Sequence, residues 1–188
     1  MDLRVEKTRR SIINGFLELR ARKPLEKIRV RELCEKAQIN KSTFYDHYRD
    51  VYDLAEQLED EAIRSYLDIA HPEYVLTDVA GFVRELFASR LACERLLDIL
   101  FSGNRSGLLV EKLAAGLTEM VLEKYPDQRE NPVFRTVLTY RIYGGYYALQ
   151  ENRKYGEEMV IELIGRMAQS QSALKSPDQW GMGAGERE

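Results

Sequence analysis

The sequence has few of the residues that build catalytic and metal sites. It contains two cysteines and two histidines among 188 residues. Cys34 and Cys93 belong to no CxxC pair, and His47 and His71 lack a second ligand at a metal-binding spacing. Walker-type phosphate loops, GxSxG and HExxH are also absent. We therefore expect a protein that is not an enzyme and that carries no cofactor.

Long apolar runs are missing as well. No run approaches the roughly 18 residues that a membrane-spanning helix needs. The charged start, MDLRVEKTRR, leads into an amphipathic segment and not into the apolar core of a signal peptide. Both cysteines lie on apolar faces of predicted helices and read as small buried side chains. We therefore expect a cytoplasmic protein with no membrane partner.

The net charge of −3 is small, but it is unevenly distributed. Residues 1–53 contain 13 Lys and Arg against 9 Asp and Glu, a charge of +4, which leaves −7 for the rest. A basic N-terminal part attached to an acidic remainder steers one end of the molecule toward phosphate. The alternative is that the asymmetry arose by chance.

Apolar residues recur at helical spacing throughout the chain, with neither a strand pattern nor an internal repeat. This periodicity predicts an all-α fold. The predicted helices cover residues 5–22, 30–37, about two turns after Asn40, 50–70, 77–89, 91–101, 108–125, 131–150 and 156–174. The tail, residues 175–188, is polar and glycine-rich, which predicts disorder.

The stretch Arg29–Leu54 holds two short helices and the start of a third within 26 residues. Asn40 is placed to cap the second helix with its side-chain oxygen. On that helix Phe44 and Tyr48 fall on one side, which we assign to the core, whereas Tyr45 points away from them. Such a compact pair of helices suits a unit that reads a DNA groove.

At these positions the chain resembles the TetR family of transcriptional regulators. The matching residues are Val30, Leu33, Ala37, Ile39, Asn40, Thr43, Phe44, Tyr45, His47 and Tyr48. The match covers roughly the first 60 residues. The resemblance implies a three-helix helix-turn-helix domain over residues 1–53, with helix 50–70 linking it to a C-terminal helical bundle over 54–174. That bundle would bind an effector and dimerise, giving about nine helices in total.

The resemblance and the helix pattern together predict the residues that touch DNA. Contacts with base edges are expected from Arg31, Lys41, Ser42, Thr43 and Tyr45. Contacts with phosphates are expected from Thr8, Arg29, His47, Arg49 and Tyr52. Each assignment has a structural alternative: Tyr45 packs on Arg49 as a surface aromatic, His47 bonds a carbonyl at the core edge, and Lys41 and Arg31 are solvated charges.

Three positions depart from the family pattern. Gln38 stands in the turn where the family usually has Gly, so a left-handed backbone there would cost about 1 kcal/mol. Val51 stands where the family commonly has a phosphate-binding Lys. Asp46 points outward on the second helix, where its carboxylate repels phosphate unless it accepts a hydrogen bond from a cytosine amino group.

The resemblance also places the dimer interface on the last two long helices, 131–150 and 156–174, because members of the family usually dimerise through a four-helix bundle there. The residues expected there are Tyr140, Gly144, Gly145, Tyr147, Met159, Leu163 and Met167. Paired glycines with flanking tyrosines suit a close contact that is rich in anchor side chains. The alternative is that the tyrosines belong to the core of one chain or line a pocket.

By resemblance the body also holds a small-molecule effector whose binding alters the separation of the two heads. The candidate pocket residues are Tyr66, Phe87, Arg90, Arg95 and Tyr143, and the two arginines would favour an anion. The sequence thus predicts a ligand-responsive repressor that binds a palindromic operator in double-stranded DNA as a homodimer, with half-sites about one helical turn, ~34 Å, apart. The alternatives are a co-regulator that acts through protein–protein contact and, more remotely, a small helical enzyme.

Overall fold

The computed structural model describes residues 3–68 and 70–170, without the side chains of residues 76, 77, 91 and 92. The predicted disordered tail, residues 175–188, lies outside these ranges. Regular secondary structure within them is entirely helical, which confirms the all-α prediction. In this part of the chain no helix is both long enough and apolar enough to cross a lipid bilayer.

Nine α-helices occur in the described residues, the number that the sequence predicts. They are α1 Leu3–Arg20, α2 Val30–Ala37, α3 Lys41–Tyr45, α4 Val51–Leu67, α5 Tyr74–Thr77, α6 Val79–Leu100, α7 Ser106–Lys124, α8 Pro132–Asn152 and α9 Glu157–Ser170. The limits of α2 coincide with the predicted ones.

The number of helices agrees with the prediction, but one predicted pair of helices is wrong. The segments 77–89 and 91–101, predicted as separate helices, form the single 22-residue helix α6. No proline or glycine stands between Gly81 and Leu100, so nothing in the backbone ends the helix near Ser89. The hydroxyl of Ser89 donates to the carbonyl of Glu85 four residues earlier, at 2.8 Å, as a serine inside a helix can. The ninth helix is the short α5, which the sequence pattern does not indicate.

The chain divides into two compact units. The first, here called the head unit, contains Met1–Ala62 and Cys93–Leu109, and the second, the body unit, contains Ile63–Ala92 and Val110–Glu188. The predicted domain limits, 1–53 and 54–174, divide the chain by function, and they stay predictions.

The head unit has an apolar core formed by its helices. Ile12 and Phe16 of α1, Leu33 of α2 and Phe44 of α3 are completely buried. Gly15 permits α1 to approach α2 closely, because a Cβ there would lie 3.3 Å from Leu33 Cδ1. Burying apolar side chains of this size contributes roughly 1.5–3 kcal/mol each, so this core fixes the position of the short helix α3.

The head unit also buries charged side chains, each with partners. Arg20, 4% exposed, donates to the carbonyl oxygens of Leu100 and Ser102 at 3.3 and 2.8 Å. Burial of this guanidinium lowers the pKa of Arg20. The fully buried carboxylate of Glu59 accepts two hydrogen bonds from Arg105, at 2.6 and 2.7 Å. These contacts hold the segment between α6 and α7 within the head unit.

The body unit contains two apolar clusters. Phe87 of α6 packs with Leu149 of α8 and with Val160 and Ile164 of α9. A second cluster joins Val75, Val121 and Leu138 from α5, α7 and α8.

Close approach of α9 to α6 depends on a glycine in the body unit. A Cβ on Gly165 would lie 3.2 Å from the Cα of Ala80, tighter than most contacts of this kind. The helices of the body unit therefore pack along their apolar faces, and the small residues Gly165 and Ala80 set the spacing of one pair.

Candidate nucleic-acid interface

The turn between α2 and α3 gives the helix pair its angle. Gln38 ends α2 in the left-handed conformation, with φ 57° and ψ 44°, and no other non-glycine residue among those described has a positive φ. The N–H of Ile39 donates to the carbonyl of Cys34 at 3.0 Å and closes the turn. Gln38 thus adopts the left-handed conformation that glycine usually adopts at such a position, and this costs about 1 kcal/mol for a residue with a side chain.

Asn40 begins α3 as the sequence predicts. Its Oδ1 accepts the N–H of Thr43 at 2.7 Å, and the hydroxyls of Ser42 and Thr43 donate to the same oxygen at 2.7 and 2.8 Å. Because the N–H of Thr43 can only donate, the atom that it meets is the amide oxygen and not the nitrogen. The cap therefore fixes the first turn of α3 and the side chains that leave it.

The rotation of α3 follows from its buried residues. Phe44 is 0% exposed and Tyr48 is 3% exposed, so both belong to the core of the head unit. Lys41 and Ser42 are exposed in the first turn of the helix, and Tyr45 is 55% exposed. The ring of Tyr45 meets Phe44 edge-on, with 5.5 Å between ring centroids, so its base rests on the core while its hydroxyl end reaches solvent.

The residues predicted to contact base edges differ in exposure and in whether their side chains have a hydrogen-bond or ion-pair partner within the protein. Lys41 is exposed and has no ion pair among the residues that the structure describes. Arg31 is also exposed, but its Nε donates to Glu35 at 2.9 Å. Thr43 is half-buried, with its hydroxyl bonded to Asn40. An exposed ion pair such as Arg31–Glu35 contributes little free energy, so Arg31 can leave Glu35 for another acceptor at small cost.

The predicted phosphate contacts all lie in the head unit. Arg29, just before α2, is exposed and has no ion pair in the described part of the chain. Arg49 pairs with Asp53 at 3.2 Å. Tyr52 is 54% exposed on the first turn of α4, whereas Thr8 and His47 are half-buried.

Thr8 and His47, two of the residues predicted to contact phosphates, each have a neighbour within the head unit. The hydroxyl of Thr8 donates to the carbonyl of Arg4 at 3.0 Å. The ring of His47 lies 6.2 Å from that of Tyr48, measured between centroids. The side chain of His47 makes no hydrogen bond to a carbonyl within the described residues, so the structural alternative stated for it is not seen there.

Acidic side chains lie beside these cations. Asp50 caps α4, accepting the N–H groups of Tyr52 and Asp53 at 2.8 and 2.9 Å. Asp46 is exposed at the end of α3. Val51, at the position where the family commonly has Lys, is 5% exposed and faces the core. The surface around α3 is therefore less positive than the charge of residues 1–53 suggests.

The predicted dimer residues form an exposed apolar stripe. Met159, Leu163 and Met167 recur every four residues on α9 and are 50–58% exposed. On α8, Tyr140 and Tyr147 are 59% and 50% exposed.

The two glycines of the predicted dimer interface differ in their surroundings. Gly144 is exposed with no atom near its missing Cβ, so it leaves open space on the surface of α8. A Cβ on Gly145 would contact Ile164 at 3.4 Å. Gly145 thus serves the packing of α8 on α9 within one chain.

The predicted effector residues do not all come together. Tyr66, Phe87, Arg90 and Tyr143 lie in the body unit, and Arg95 lies in the head unit. Tyr66 is buried and its hydroxyl donates to the carbonyl of Leu86 at 2.6 Å, next to buried Phe87. Tyr143 is half-buried on α8.

Each unit contains an open cleft that one of these residues lines. Arg95 is exposed in a head-unit cleft of about 380 Å³, which Arg20 and Asp98 also line. A body-unit cleft of about 770 Å³ has Phe87 and Met159 as apolar lining, with Arg84 and Glu162 among its charged residues.

Sequence reasoning missed the buried charges of the head unit. Glu59 and Arg105 are 46 positions apart, and Arg105 stands in a glycine- and serine-rich segment that reads as an ordinary loop. No local pattern marks either residue, because only the folded chain brings them together.

No group of three or more His, Cys, Asp or Glu side chains in the described ranges is arranged to hold a metal ion. Comparison with protein-family models gives no match, and no curated protein and no solved structure matches the chain either. The resemblance to the TetR family therefore rests only on the residues of the helix pair.

Proposed function

We propose that this chain is a sequence-specific DNA-binding transcriptional regulator of the TetR type, acting in the cytoplasm as a homodimer on a palindromic operator. The observation that carries the proposal is the orientation of α3. Phe44 is buried in the core, whereas the side chains of Lys41, Ser42 and Tyr45 are exposed to solvent. The major groove of B-DNA, about 12 Å wide, admits one helix and is read by side chains near the start of that helix.

The free cations of the head unit support this function. Arg29 and Lys41 have no ion pairs in the described part of the chain, so Arg29 can meet a phosphate and Lys41 a base edge without losing a carboxylate partner. Their binding releases counterions from DNA, which makes the affinity depend on salt.

The exposed stripe of α8 and α9 supports the homodimer. One helix pair makes too few contacts for specific binding, and a two-fold dimer doubles them. Single exposed apolar residues are normal on a protein surface, but a stripe of Met159, Leu163 and Met167 on α9, together with two exposed tyrosines on α8, is typical of an interface.

We further propose that a small-molecule effector bound in the body unit makes the regulator a repressor that releases DNA. Such control requires that the effector bind the DNA-free form more tightly, by a coupling of typically ~1–3 kcal/mol.

A second function is favoured by the acidic groups beside α3. Asp46 is exposed, and Val51 faces the core and offers no phosphate contact. A co-regulator that binds another protein through the same surface would not need those phosphate contacts. This alternative predicts weak or absent DNA binding.

Selection from randomised DNA duplexes separates the two functions. A regulator enriches sequences with two half-sites related by two-fold symmetry, and fluorescence anisotropy then shows affinity falling steeply between 50 and 200 mM salt, the range over which roughly 10³-fold or larger losses are common. Arg29→Ala removes a proposed phosphate contact and should lower the slope of log K against log salt by about 1. Lys154→Ala, in the body unit, is the matched control and should leave the slope unchanged. Failure to enrich any sequence contradicts DNA binding and favours the co-regulator.

A further inference from the structure

Helices α6 and α9 are in close contact at one end and line an open cleft at the other. At the close end, a Cβ on Gly165 would lie 3.2 Å from the Cα of Ala80. About one turn along both helices, Arg84 pairs with Glu162 at 3.2 Å. From this ion pair onward the two helices line a body-unit cleft of about 770 Å³. Sites for small molecules have volumes of about 300–1,000 Å³, so this cleft is large enough for one.

Apolar side chains from both helices line the cleft. Phe87 of α6 is 8% exposed and Ile161 of α9 is half-buried, and both pack in the apolar cluster with Leu149. Ala88 and Met159 are exposed. The flexible side chain of methionine fits apolar partners of different shapes. A ligand with an apolar body would therefore cover surface that is costly to leave in water.

Three carboxylates and one guanidinium complete the lining of the cleft. Arg84 pairs with Glu162, and Glu157 pairs with Arg153 at 3.3 Å. Glu158 is exposed, and its carboxylate has no hydrogen bond or ion pair within the part of the chain that the structure describes. One negative charge of the lining thus has no counter-ion, and it selects a ligand with one positive charge.

Acidic residues in the first turn of a helix also complement the helix dipole. This effect accounts for Glu157 and Glu158 at the start of α9, but it does not account for Glu162 in the second turn. Hydrogen bonds from Arg166 and then from Arg84 lower the pKa of Glu162, so this carboxylate keeps its negative charge. The acidic character of the cleft therefore has more than one source.

We propose that the cleft between α6 and α9 binds a small hydrophobic amine in its protonated form, with Glu158 as the counter-ion, and that this cation is the effector. The identification of the amine as the effector rests on the proposed function, whereas its binding in the cleft does not. The charge is opposite to the one that Arg90 and Arg95 indicate in the sequence, and neither of these arginines lines the cleft.

Isothermal titration calorimetry on the full chain tests the binding step. The probes are benzylamine, 2-phenylethylamine, cyclohexylamine and hexylamine. Each is compared with the alcohol that has a hydroxyl in place of the amino group, and benzoate is the anionic control. At least one amine should bind, about threefold to fivefold more tightly than its alcohol, which is the scale of an exposed ion pair.

Three variants assign this binding to the cleft. Glu158→Gln should give the amine and its alcohol equal affinities, because it removes the charge and keeps the apolar lining. Glu111→Gln, the matched control at an exposed position of α7, should keep the preference for the amine. Ala88→Trp should abolish the binding of both, because the indole fills the cleft from an exposed position where it is tolerated. Circular dichroism verifies that each variant is folded.

A purely structural role of Glu158 would give a different result. Loss of a carboxylate that only stabilises the start of α9 would weaken the amine and the alcohol by the same factor, and this outcome would overturn the proposal. So would the absence of binding by all four amines, an alcohol or benzoate that binds as tightly as the amine, or undiminished binding in Ala88→Trp.

DNA binding distinguishes failure of this site from failure of the proposed function. The bound amine should lower the affinity of the wild type for its selected duplex about fivefold or more, and it should not change the affinity of Ala88→Trp. An amine that binds in the cleft of a protein without DNA affinity contradicts the proposed function and leaves the site standing. DNA binding that a bound amine does not change contradicts the identification of the amine as the effector.

Discussion

The two units expose opposite kinds of surface on their candidate interaction helices. In the head unit, α3 exposes Lys41, Ser42 and Tyr45. These side chains can donate or accept hydrogen bonds, and the ring of the tyrosine can stack. In the body unit, the outer side of α9 presents Leu163 and Met167, which can only be covered by another apolar surface. The first surface suits a hydrated, charged polymer, and the second suits a second protein surface. The same all-helical architecture thus supports two kinds of recognition through the side chains of its outer faces.

The units also differ in their treatment of buried charge. The head unit surrounds Arg20 and Glu59 with internal partners, which makes them part of its framework. The body unit buries Arg90 and gives it none. Partnered buried charges hold a structure in place, whereas the nitrogen atoms of Arg90 keep contact with solvent, since none of them is among the fully buried atoms that lack a hydrogen bond.

The largest expected effect concerns the framework of the head unit. Arg105→Met removes the bidentate partner of the buried carboxylate of Glu59, and it should lower the free energy of unfolding by about 3–5 kcal/mol. Chemical denaturation measures the loss. Arg49→Met breaks an exposed pair and should change stability little. The Glu59→Met, Arg105→Met double variant should recover most of the loss, and equal effects of Arg105→Met and Arg49→Met would contradict the framework role.

The next prediction concerns the apolar stripe of the body unit. Leu163→Glu places a carboxylate at the centre of the proposed interface and should weaken dimerisation by roughly 100-fold, about 3 kcal/mol. Sedimentation velocity over a concentration series gives the dissociation constant. Gln169→Glu, on an exposed polar position of α9, adds the same charge and should leave the dimer intact. If Leu163→Glu dimerises as strongly as the wild type, Leu163 does not belong to the dimer interface.

The polar surface of the head unit is tested by Tyr45→Ala. Loss of the half-exposed ring should weaken specific DNA binding by roughly 1–3 kcal/mol. The free energy of unfolding should stay within about 0.5 kcal/mol of the wild type, as for other surface substitutions. Anisotropy and chemical denaturation give the two numbers, with Tyr155→Ala as the control for an exposed tyrosine of the body unit. A comparable loss of stability would mean that Tyr45 belongs to the core.

The smallest expected effect lies in the turn. Gln38→Gly should raise the free energy of unfolding by up to about 1 kcal/mol, because glycine adopts the left-handed conformation without strain. Gln38→Ala keeps the Cβ and should give no gain. Equal stability of the two variants would show that the turn stores no strain at this residue.

Sequence patterns predicted the structure correctly where it depends on residues that are close together in the chain. The limits of α2, the cap at Asn40 and the opposite orientations of Phe44 and Tyr45 all follow from residues within four positions of each other. The same reasoning failed near Ser89, where two helices, 77–89 and 91–101, were predicted and the single helix α6 is found. No proline or glycine interrupts the chain there, so the sequence contains no signal that would end the helix.

The sequence by itself determined the helical class, the helix pair and the polar outer side of α3, because helix periodicity and capping act over one or two turns. Tertiary structure alone decided that Glu59 meets Arg105 and that Gly145 contacts α9 while Gly144 stays open. These facts depend on which segments meet in space, and a carboxylate or guanidinium shows its cost only after the fold has removed it from water.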